Sequence, residues 1–211
     1  ALQEQIETLA TNYTSLSHEL TEKRAAAATK LSTAIEQQFE ALSMPGASFL
    51  PTLTPLPNDN FGPNGQETIE FLISTNPGEQ PKPLAKIASG GELSRISLAI
   101  QVIAAKNSSI SALIFDEVDV GIGGATANVV GQLLRQLGER EQVLCVTHQP
   151  QVAACAHHHL FVSKSTKNNS THSQVKILSD NDRTNEIARM LGGEKITDTT
   201  FNHAKEMLES T

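Results

Sequence analysis

The sequence predicts an α/β fold with a mainly parallel sheet flanked by helices and preceded by a coiled-coil helix. Three observations predict it. Apolar residues follow a heptad spacing in the first 44 positions. After residue 89, short apolar runs alternate with segments of helical spacing, which is the order of elements in a parallel sheet. Two consecutive glycines open one helical segment, and two acids end the apolar run that follows it.

Length, charge and cysteine content narrow the class of protein. The 211 residues suffice for one sizeable domain with an appendage, and a net charge of −7 argues against a surface that grips nucleic acid throughout. Cys145 and Cys155 are too few for a disulfide framework, so we expect a reduced, cytoplasmic setting. No secretory signal or membrane-length apolar stretch occurs. Because the chain begins at Ala1 inside a periodic pattern and without Met, we expect part of a longer protein.

The first 44 residues carry the heptad pattern. Apolar residues spaced alternately by four and three form an a/d seam: Leu2, Ile6, Leu9, Tyr13, Leu16 and Leu20. The apolar stripe continues through Leu31, Ile35, Phe39 and Leu42 to the break at Pro45 and Gly46. Two interpretations remain open: an amphipathic helix packed on its own domain, or the end of a long coiled coil that enters a globular head.

Residues 45–83 contain eight of the nine prolines, which favours strands and turns over helix. Ile69, Phe71 and Ile73 alternate with polar residues and predict a half-buried strand. The segment 49–56 is a candidate partner strand, and 77–83 is typical of an exposed loop.

From Ser89 onward the pattern is α/β. The predicted elements, in chain order, are a helix from Ser89 toward Lys106, a strand at 112–115 buried on both faces, a helix at 126–137 capped by Gly138, a strand at 143–146, two strands at 160–162 and 175–178 around a polar turn at 167–171, a helix ending at Gly192 and Gly193, and a last helix through Phe201, Ala204, Met207 and Leu208.

The segment Ser89-Gly90-Gly91-Glu92 opens the first of these helices. Ser89 as N-cap with Glu92 three residues later forms a capping box, which explains those two residues structurally. It does not explain the glycines, each of which costs about 1 kcal/mol of helix stability relative to Ala. Without Cβ atoms, a ligand can approach the backbone N–H groups, and a helix N-terminus favours an anion such as phosphate.

The run Leu113–Phe115 carries Asp116 and Glu117 to the carboxyl edge of the predicted sheet, where ligand sites of α/β proteins lie. Asp116 is placed to hold magnesium through water, and Glu117 to polarise an attacking water as a general base. The alternative is a strand that ends in two solvated acids.

Two further segments complete the pattern. A second apolar strand ends in Thr147 and His148, and His148 either bonds a γ-phosphate or only caps the strand end. The glycine-rich turn 119–126 follows the paired acids and leads into a helix. It is either a plain connection or a loop that touches a second subunit. No Gly-Lys pair occurs in the sequence, so a phosphate-binding loop of the G-x-x-x-x-G-K-[ST] kind is absent from it.

The order of these segments matches a known family. Ser89–Arg95, Leu113–Gly124 and Val146–Ala153 closely resemble the signature, Walker B with D-loop, and H-loop segments of ATP-binding-cassette (ABC) ATPases. The turn Asp119–Gly124 and the Leu-Gly-Gly ending of Glu186–Gly193 resemble the structural-maintenance-of-chromosomes (SMC)-like branch that acts in DNA repair. The resemblance extends over the whole chain.

The resemblance implies the C-terminal lobe of an ATPase head, with residues 1–44 as the coiled-coil exit helix and 45–211 as the lobe. It implies ATP and Mg²⁺ as cofactors and an N-terminal lobe of the same protein that carries the Walker A loop. It further implies a second head in a homodimer, DNA bound by the full-length protein, no membrane, and a place in the cytoplasm on the bacterial nucleoid. By itself, this chain is then expected to hydrolyse no ATP.

The resemblance also assigns roles to single residues. The residues that contact ATP bound on the opposing head are Ser89, Gly90, Gly91 and Glu92. The residues that serve the nucleotide on their own head are Asp116 through Mg²⁺, and Glu117 and His148 in catalysis. The residues of the loop between the two sites are Asp119, Gly121, Ile122 and Gly123. Arg95 either pairs with Glu92, or it senses the γ-phosphate or couples the head to DNA.

Two other functional hypotheses compete, and one apparent motif carries no site. The nucleotide-binding part of an ABC transporter is disfavoured by the heptad lead-in and by Glu92, where transporters usually have Gln. A non-catalytic scaffold with an ATPase-like fold is disfavoured by the Asp116–Glu117 pair and His148. The run His157–His159 does not predict a metal site, because neighbouring residues of a strand point to opposite faces.

Overall fold

The computed structural model describes residues 1–57, 61–87, 89–104, 111–167, 170–193 and 195–210. These residues form two compact units that divide between Ser89 and Gly90. The first unit consists of a long helix and a three-stranded sheet, and the second contains five helices and two small sheets among its described residues. The α/β class that the sequence predicts is confirmed.

Helix α1 (Leu2–Ala41) buries apolar residues near its C-terminal end and exposes them near its N-terminal end. Near its C-terminal end, Ile35 and Phe39 are fully buried and α1 packs on the first strand. In its N-terminal half, four of the six seam residues are 58–71 % exposed: Leu2, Ile6, Leu9 and Leu16. The seam is therefore uncovered at these four positions, where the coiled coil stays a prediction. No helix in the described part of the chain is both long and apolar enough to cross a membrane.

The predicted pairing of the segment 49–56 with the strand around Ile69, Phe71 and Ile73 is confirmed. Strands β1 (Ser48–Pro55) and β2 (Glu67–Ser74) pair antiparallel, from Ser48 opposite Ser74 to Pro55 opposite Glu67. The predicted loop at 77–83 is wrong at its end, because β3 (Lys82–Pro83) pairs with β2. Proline lacks the N–H that an inner strand must donate, so it is tolerated in these two outer strands.

The segment that precedes β2 lies along α1. The Tyr13 hydroxyl donates to the Gly62 carbonyl at 2.9 Å, and the ring meets Phe61 edge to face at 5.0 Å. Glu67 is buried, accepts a hydrogen bond from the Thr21 hydroxyl, and pairs with Arg24 at 3.0 Å. The Thr21 hydrogen bond and the Arg24 guanidinium together hold the pKa of Glu67 below its ordinary value. The charged carboxylate of Glu67 therefore links β2 to α1.

The second unit follows the predicted order of elements. They are α2 (Gly90–Ala104), β4 (Ala112–Phe115), α3 (Gly124–Gly138), β5 (Gln142–Cys145), α4 (Pro150–Cys155), β6 (Leu160–Lys167), β7 (Ser170–Ile177), α5 (Asp180–Gly192) and α6 (Asp198–Glu209). Strands β4 and β5 pair in parallel, whereas β6 and β7 form an antiparallel hairpin. Among the described strands, parallel pairing is thus confined to β4 and β5.

Element ends differ from the predictions by a few residues. Helix α2 begins at Gly90 and is described to Ala104, so the predicted end at Lys106 lies outside the described residues. Helix α3 begins two residues early, at Gly124. Gly138 is its last helical residue and not its cap, because Glu139 continues in right-handed helical geometry. Gly193, at φ +70°, ends α5 as predicted.

The prediction that β4 is buried on both faces is wrong for the described residues. Phe115 is buried, but Ile114 is 74 % exposed, and Leu144 and Val146 nearby are 41 % and 63 % exposed. Successive strand residues point to opposite faces, so one face of the parallel pair is covered and the other is open. An apolar run predicts that a strand will be buried. It does not predict whether residues of this chain pack on both of its faces.

Candidate functional site

The glycine pair at the start of α2 packs against the turn that follows β4. A Cβ on Gly91 would lie 3.2 Å from the Val120 carbonyl oxygen and 3.4 Å from that of Glu117. A Cβ on Gly90 would lie 2.5 Å from the Glu117 carboxylate oxygen Oε2. Glycine at both positions therefore leaves room for atoms of this chain itself. The sequence analysis did not predict this structural reason for the glycine pair.

Two side chains of α2 bind the same turn. The Ser94 hydroxyl donates to the Asp116 carbonyl at 2.6 Å, and Nη1 of Arg95 donates to the Val120 carbonyl at 2.9 Å. Arg95 is buried, and this burial lowers the pKa of its guanidinium, an effect that Glu92 opposes. The contact of Arg95 with Val120 was not predicted. The first turns of α2 and the segment 116–120 thus form one hydrogen-bonded assembly.

The paired acids stand at the carboxyl end of β4, as predicted, and both are exposed. Glu117 has a φ of +58°, in the left-handed region that costs a non-glycine residue about 1 kcal/mol or more. Val120 N–H donates to the Glu117 carbonyl at 3.2 Å and closes the turn. This turn brings the carboxylate of Glu117 to the N-terminus of α2, where a negative charge is favoured.

Asp119 is turned inward, although it was expected to belong to an interface loop. It is 1 % exposed, and its Oδ2 accepts hydrogen bonds from the Thr147 hydroxyl, from His148 N–H at 3.2 Å and from Gln149 N–H at 3.3 Å. The neighbouring loop residues Val120, Gly121 and Gly123 are exposed. The loop therefore presents a surface outward while one buried carboxylate fixes it to the end of β5.

His148 lies beside Asp119 and remains accessible. Its side chain is 67 % exposed, and its Nδ1 is 3.6 Å from Asp119 Oδ2. One ring nitrogen thus faces the carboxylate, which leaves the other directed away from it. A histidine at the end of a strand can bond a ligand oxygen through an accessible ring nitrogen.

The C-terminal end of α4 is held by two arginines that the sequence analysis did not single out. Nη1 of Arg135 donates to the Cys155 carbonyl at 2.7 Å. Nη2 of Arg183 donates to the carbonyls of Ala154, at 2.8 Å, and of Ala156. Cations at the end of a helix satisfy its last carbonyl groups. Neither arginine lies in a recognisable motif, and only the fold brings them to α4.

The other candidate groups add no chemistry to this region. Burial, together with the nearby Asp119 and Asp116, raises the pKa of the Cys145 thiol to about 12, so the thiol stays protonated at neutral pH. Within the described residues, no group of three or more His, Cys, Asp or Glu side chains is arranged to hold a metal ion.

The structure thus brings two sets of predicted residues together. Gly90 and Gly91 meet Glu117, and Asp119 meets His148. Ser89 is the last residue of the first unit and is exposed, Glu92 is half-buried in the first turn of α2, and Ile122 is half-buried.

Comparison with solved structures defines the class of the fold. The chain resembles the Smc head domain with an extended coiled coil from Pyrococcus furiosus, with a TM-score of 0.53 and 20 % identity, over 89 % of this chain and 44 % of that one. It also resembles the Smc head domain with a coiled coil and joint from Pyrococcus yayanosii, with a TM-score of 0.53 and 21 % identity, over 78 % and 29 %. The fold is that of SMC-type heads.

Sequence comparison gives the particular family. The chain is 49 % identical over 208 residues to the DNA repair protein RecN of Vibrio cholerae, covering 99 % of this chain and 37 % of that protein. It is 52 % identical over 191 residues to RecN of Haemophilus influenzae, covering 90 % and 34 %. The chain belongs to the RecN family and spans about a third of the length of these relatives. No protein-family model matches it.

Proposed function

We propose that this chain is the C-terminal lobe of an SMC-like ATPase head that acts in DNA double-strand break repair. In this proposal ATP binds and is hydrolysed at the interface between two heads, each completed by an N-terminal lobe with the Walker A loop. The observation that carries the proposal is that Asp116 and Glu117 follow β4 at the same edge of the parallel pair where His148 follows β5. The division into an exit helix at 1–44 and a lobe at 45–211 belongs to the same proposal.

The residues of the site fit a magnesium nucleotide. Asp116 and Glu117 supply exposed carboxylate oxygens, the ligand type that Mg²⁺ prefers. The N-terminus of α2, which begins at Gly90, would offer its backbone N–H groups to the phosphates of the nucleotide on the opposing head. Bound Mg²⁺ would neutralise phosphate charge and orient the phosphates. Asp116 would hold it through water.

Each remaining residue then has a stated role. Glu117 accepts a proton from the attacking water, and His148 bonds an oxygen of the terminal phosphate. The residues that contact ATP on the opposing head are Ser89, Gly90, Gly91 and Glu92. The loop at 119–123 lies between the two sites, with Gly121, Ile122 and Gly123 on its outer part and Asp119 held inside.

Two open apolar surfaces support the need for an N-terminal lobe. The first is the uncovered face of the β4–β5 pair around Ile114 and Leu144. The second lies on the β6–β7 hairpin, where cross-strand neighbours are 44–71 % exposed: Leu160 with Ile177, and Val162 with Val175. Contiguous apolar surface of this kind usually marks an interface. In the full-length protein, the N-terminal lobe would cover both.

The same proposal covers the coiled coil, the DNA contacts and the location of the full-length protein. The exposed seam of α1 is the surface on which a second coiled-coil helix would pack. The net charge of −7 argues that DNA is contacted mainly by other parts of the full-length protein. The setting is the cytoplasm, on the bacterial nucleoid.

We expect this chain alone to show no ATP turnover, and turnover to appear when it is co-expressed with the N-terminal portion of its own gene. The reason is that the sequence contains no loop to hold the β- and γ-phosphates. The measurement is steady-state phosphate release by the chain, by the N-terminal portion and by the two together. Steady turnover by the chain alone, unchanged by Glu117→Gln, would contradict the proposal.

A further inference from the structure

We infer that Asp119 is a positioning residue for His148, through which the loop at 119–123 controls the catalytic geometry. The inference rests on the proposed function for the role of His148. It goes beyond that function because it assigns to a residue of the interface loop a task inside its own head. Asp119 itself does not touch the nucleotide in this scheme.

The burial of Asp119 is the first argument. A carboxylate that is 1 % exposed has lost almost all its water, and an isolated buried charge is strongly unfavourable. The cost is offset here by three hydrogen-bond donors, which all come from Thr147, His148 and Gln149. Hydrogen bonds to an ionised acceptor are about twice as strong as neutral ones. The turn that carries His148 is therefore the specific partner of this carboxylate.

The surroundings of α4 are the second argument. Gln149 is the N-cap of this helix, so Asp119 holds the chain at the point where α4 begins. Arg135 and Arg183 bind the carbonyl groups at its negative end. Because charged groups from other elements hold both ends, the short helix has little freedom to shift. His148 directly precedes the N-cap, so its backbone is held in place together with the helix.

The place of Asp119 in the chain is the third argument. It follows Glu117 by two residues and precedes the exposed stretch Val120–Gly123. A contact made on the outer side of this stretch by a second head would therefore act on Glu117 through the backbone and on His148 through the Asp119 carboxylate. Removal of the charge should loosen the His148 turn while leaving the exposed loop surface unchanged.

The test is Asp119→Asn in the full-length protein, with two readouts. Amide hydrogen exchange in peptides that cover 147–149 should become about tenfold faster, because a strong acceptor is lost. The kcat for ATP should fall about 10- to 100-fold with KM within about twofold, since such orienting groups carry effects of this size. Asp198→Asn, an exposed aspartate at the start of α6, is the matched control and should change neither value.

A second pair of variants decides the question if Asp119→Asn does not fold. Thr147→Val removes one donor to Asp119 at nearly constant size and should lower kcat about 3- to 10-fold, whereas Thr147→Ser keeps the hydroxyl and should restore it. Unchanged amide exchange in Asp119→Asn would overturn the inference, and so would faster exchange with unchanged kcat. If the wild-type protein hydrolyses no ATP, the proposed function fails, and the role of Asp119 toward catalysis fails with it. In that case, faster exchange would show only that Asp119 stabilises the turn at 147–149.

Discussion

Replacement of Glu117 by Gln in the full-length protein is expected to lower ATP turnover by about 10²- to 10⁴-fold, the usual contribution of a general base. Gln keeps the size of the side chain but not its ability to accept a proton. The fold should be preserved, because the Glu117 side chain is exposed at the end of β4 and the backbone holds the turn. The measurement is steady-state phosphate release at saturating ATP.

The control for this prediction is Glu139→Gln. Glu139 is an exposed glutamate that follows the last residue of α3, so its replacement makes the same chemical change outside the proposed site. We expect turnover close to wild type in this variant. Turnover by Glu117→Gln within about threefold of wild type would remove Glu117 from the catalytic step and favour a scaffold with an ATPase-like fold.

Gly131→Ala is expected to lower the free energy of unfolding of this chain by about 1–3 kcal/mol. A Cβ at this position would lie 2.7 Å from Sγ of Cys155 and 3.1 Å from the Gln151 carbonyl oxygen, both on α4. Cys155 is 1 % exposed and cannot turn away into solvent. Helices α3 and α4 would have to separate, which also moves the helix that follows His148. Urea denaturation of the two proteins measures the difference.

Gly138→Ala on the same helix is the matched control. Its Cβ would lie 3.5 Å from the His157 ring, an ordinary contact. Since Ala is the better helix former by about 1 kcal/mol, we expect this variant to be equal to wild type or more stable. If Gly131→Ala were as stable as Gly138→Ala, the close packing of α3 on α4 described above would be contradicted.

The sequence predicted most of the element order, because the signals were local. The heptad seam placed α1, and alternation at Ile69, Phe71 and Ile73 placed β2 with its partner. The apolar run ending in Asp116 and Glu117 placed β4, and Gly193 marked the end of α5. Each of these predictions depends on residues near one another in the chain, where periodicity and turn chemistry decide the outcome.

Features that depend on distant residues could not be predicted. In the sequence, Asp119 looks like any short polar residue of a glycine-rich loop. Its burial depends on the residues that follow β5, which are distant in the chain. Gly131 resembles a weak position within a helix until Cys155 is placed against it. The glycine pair of α2 suggested ligand access, and the structure adds the close approach of the 117–120 turn. The open face of β4 was missed because an apolar run does not identify its cover.

The central claim is that ATP joins two heads, each built from this lobe and an N-terminal lobe. The most direct test is sedimentation of this chain carrying Glu117→Gln, co-expressed with the N-terminal portion of its own gene, with and without ATP. We expect a dimer of heads that forms with ATP and is lost in Ser89→Arg, because a large cation at Ser89 would block the approach of the opposing nucleotide. A mass that stays the same under every nucleotide condition would contradict the account, and the phosphate roles of Ser89, Gly90 and Gly91 would fail first.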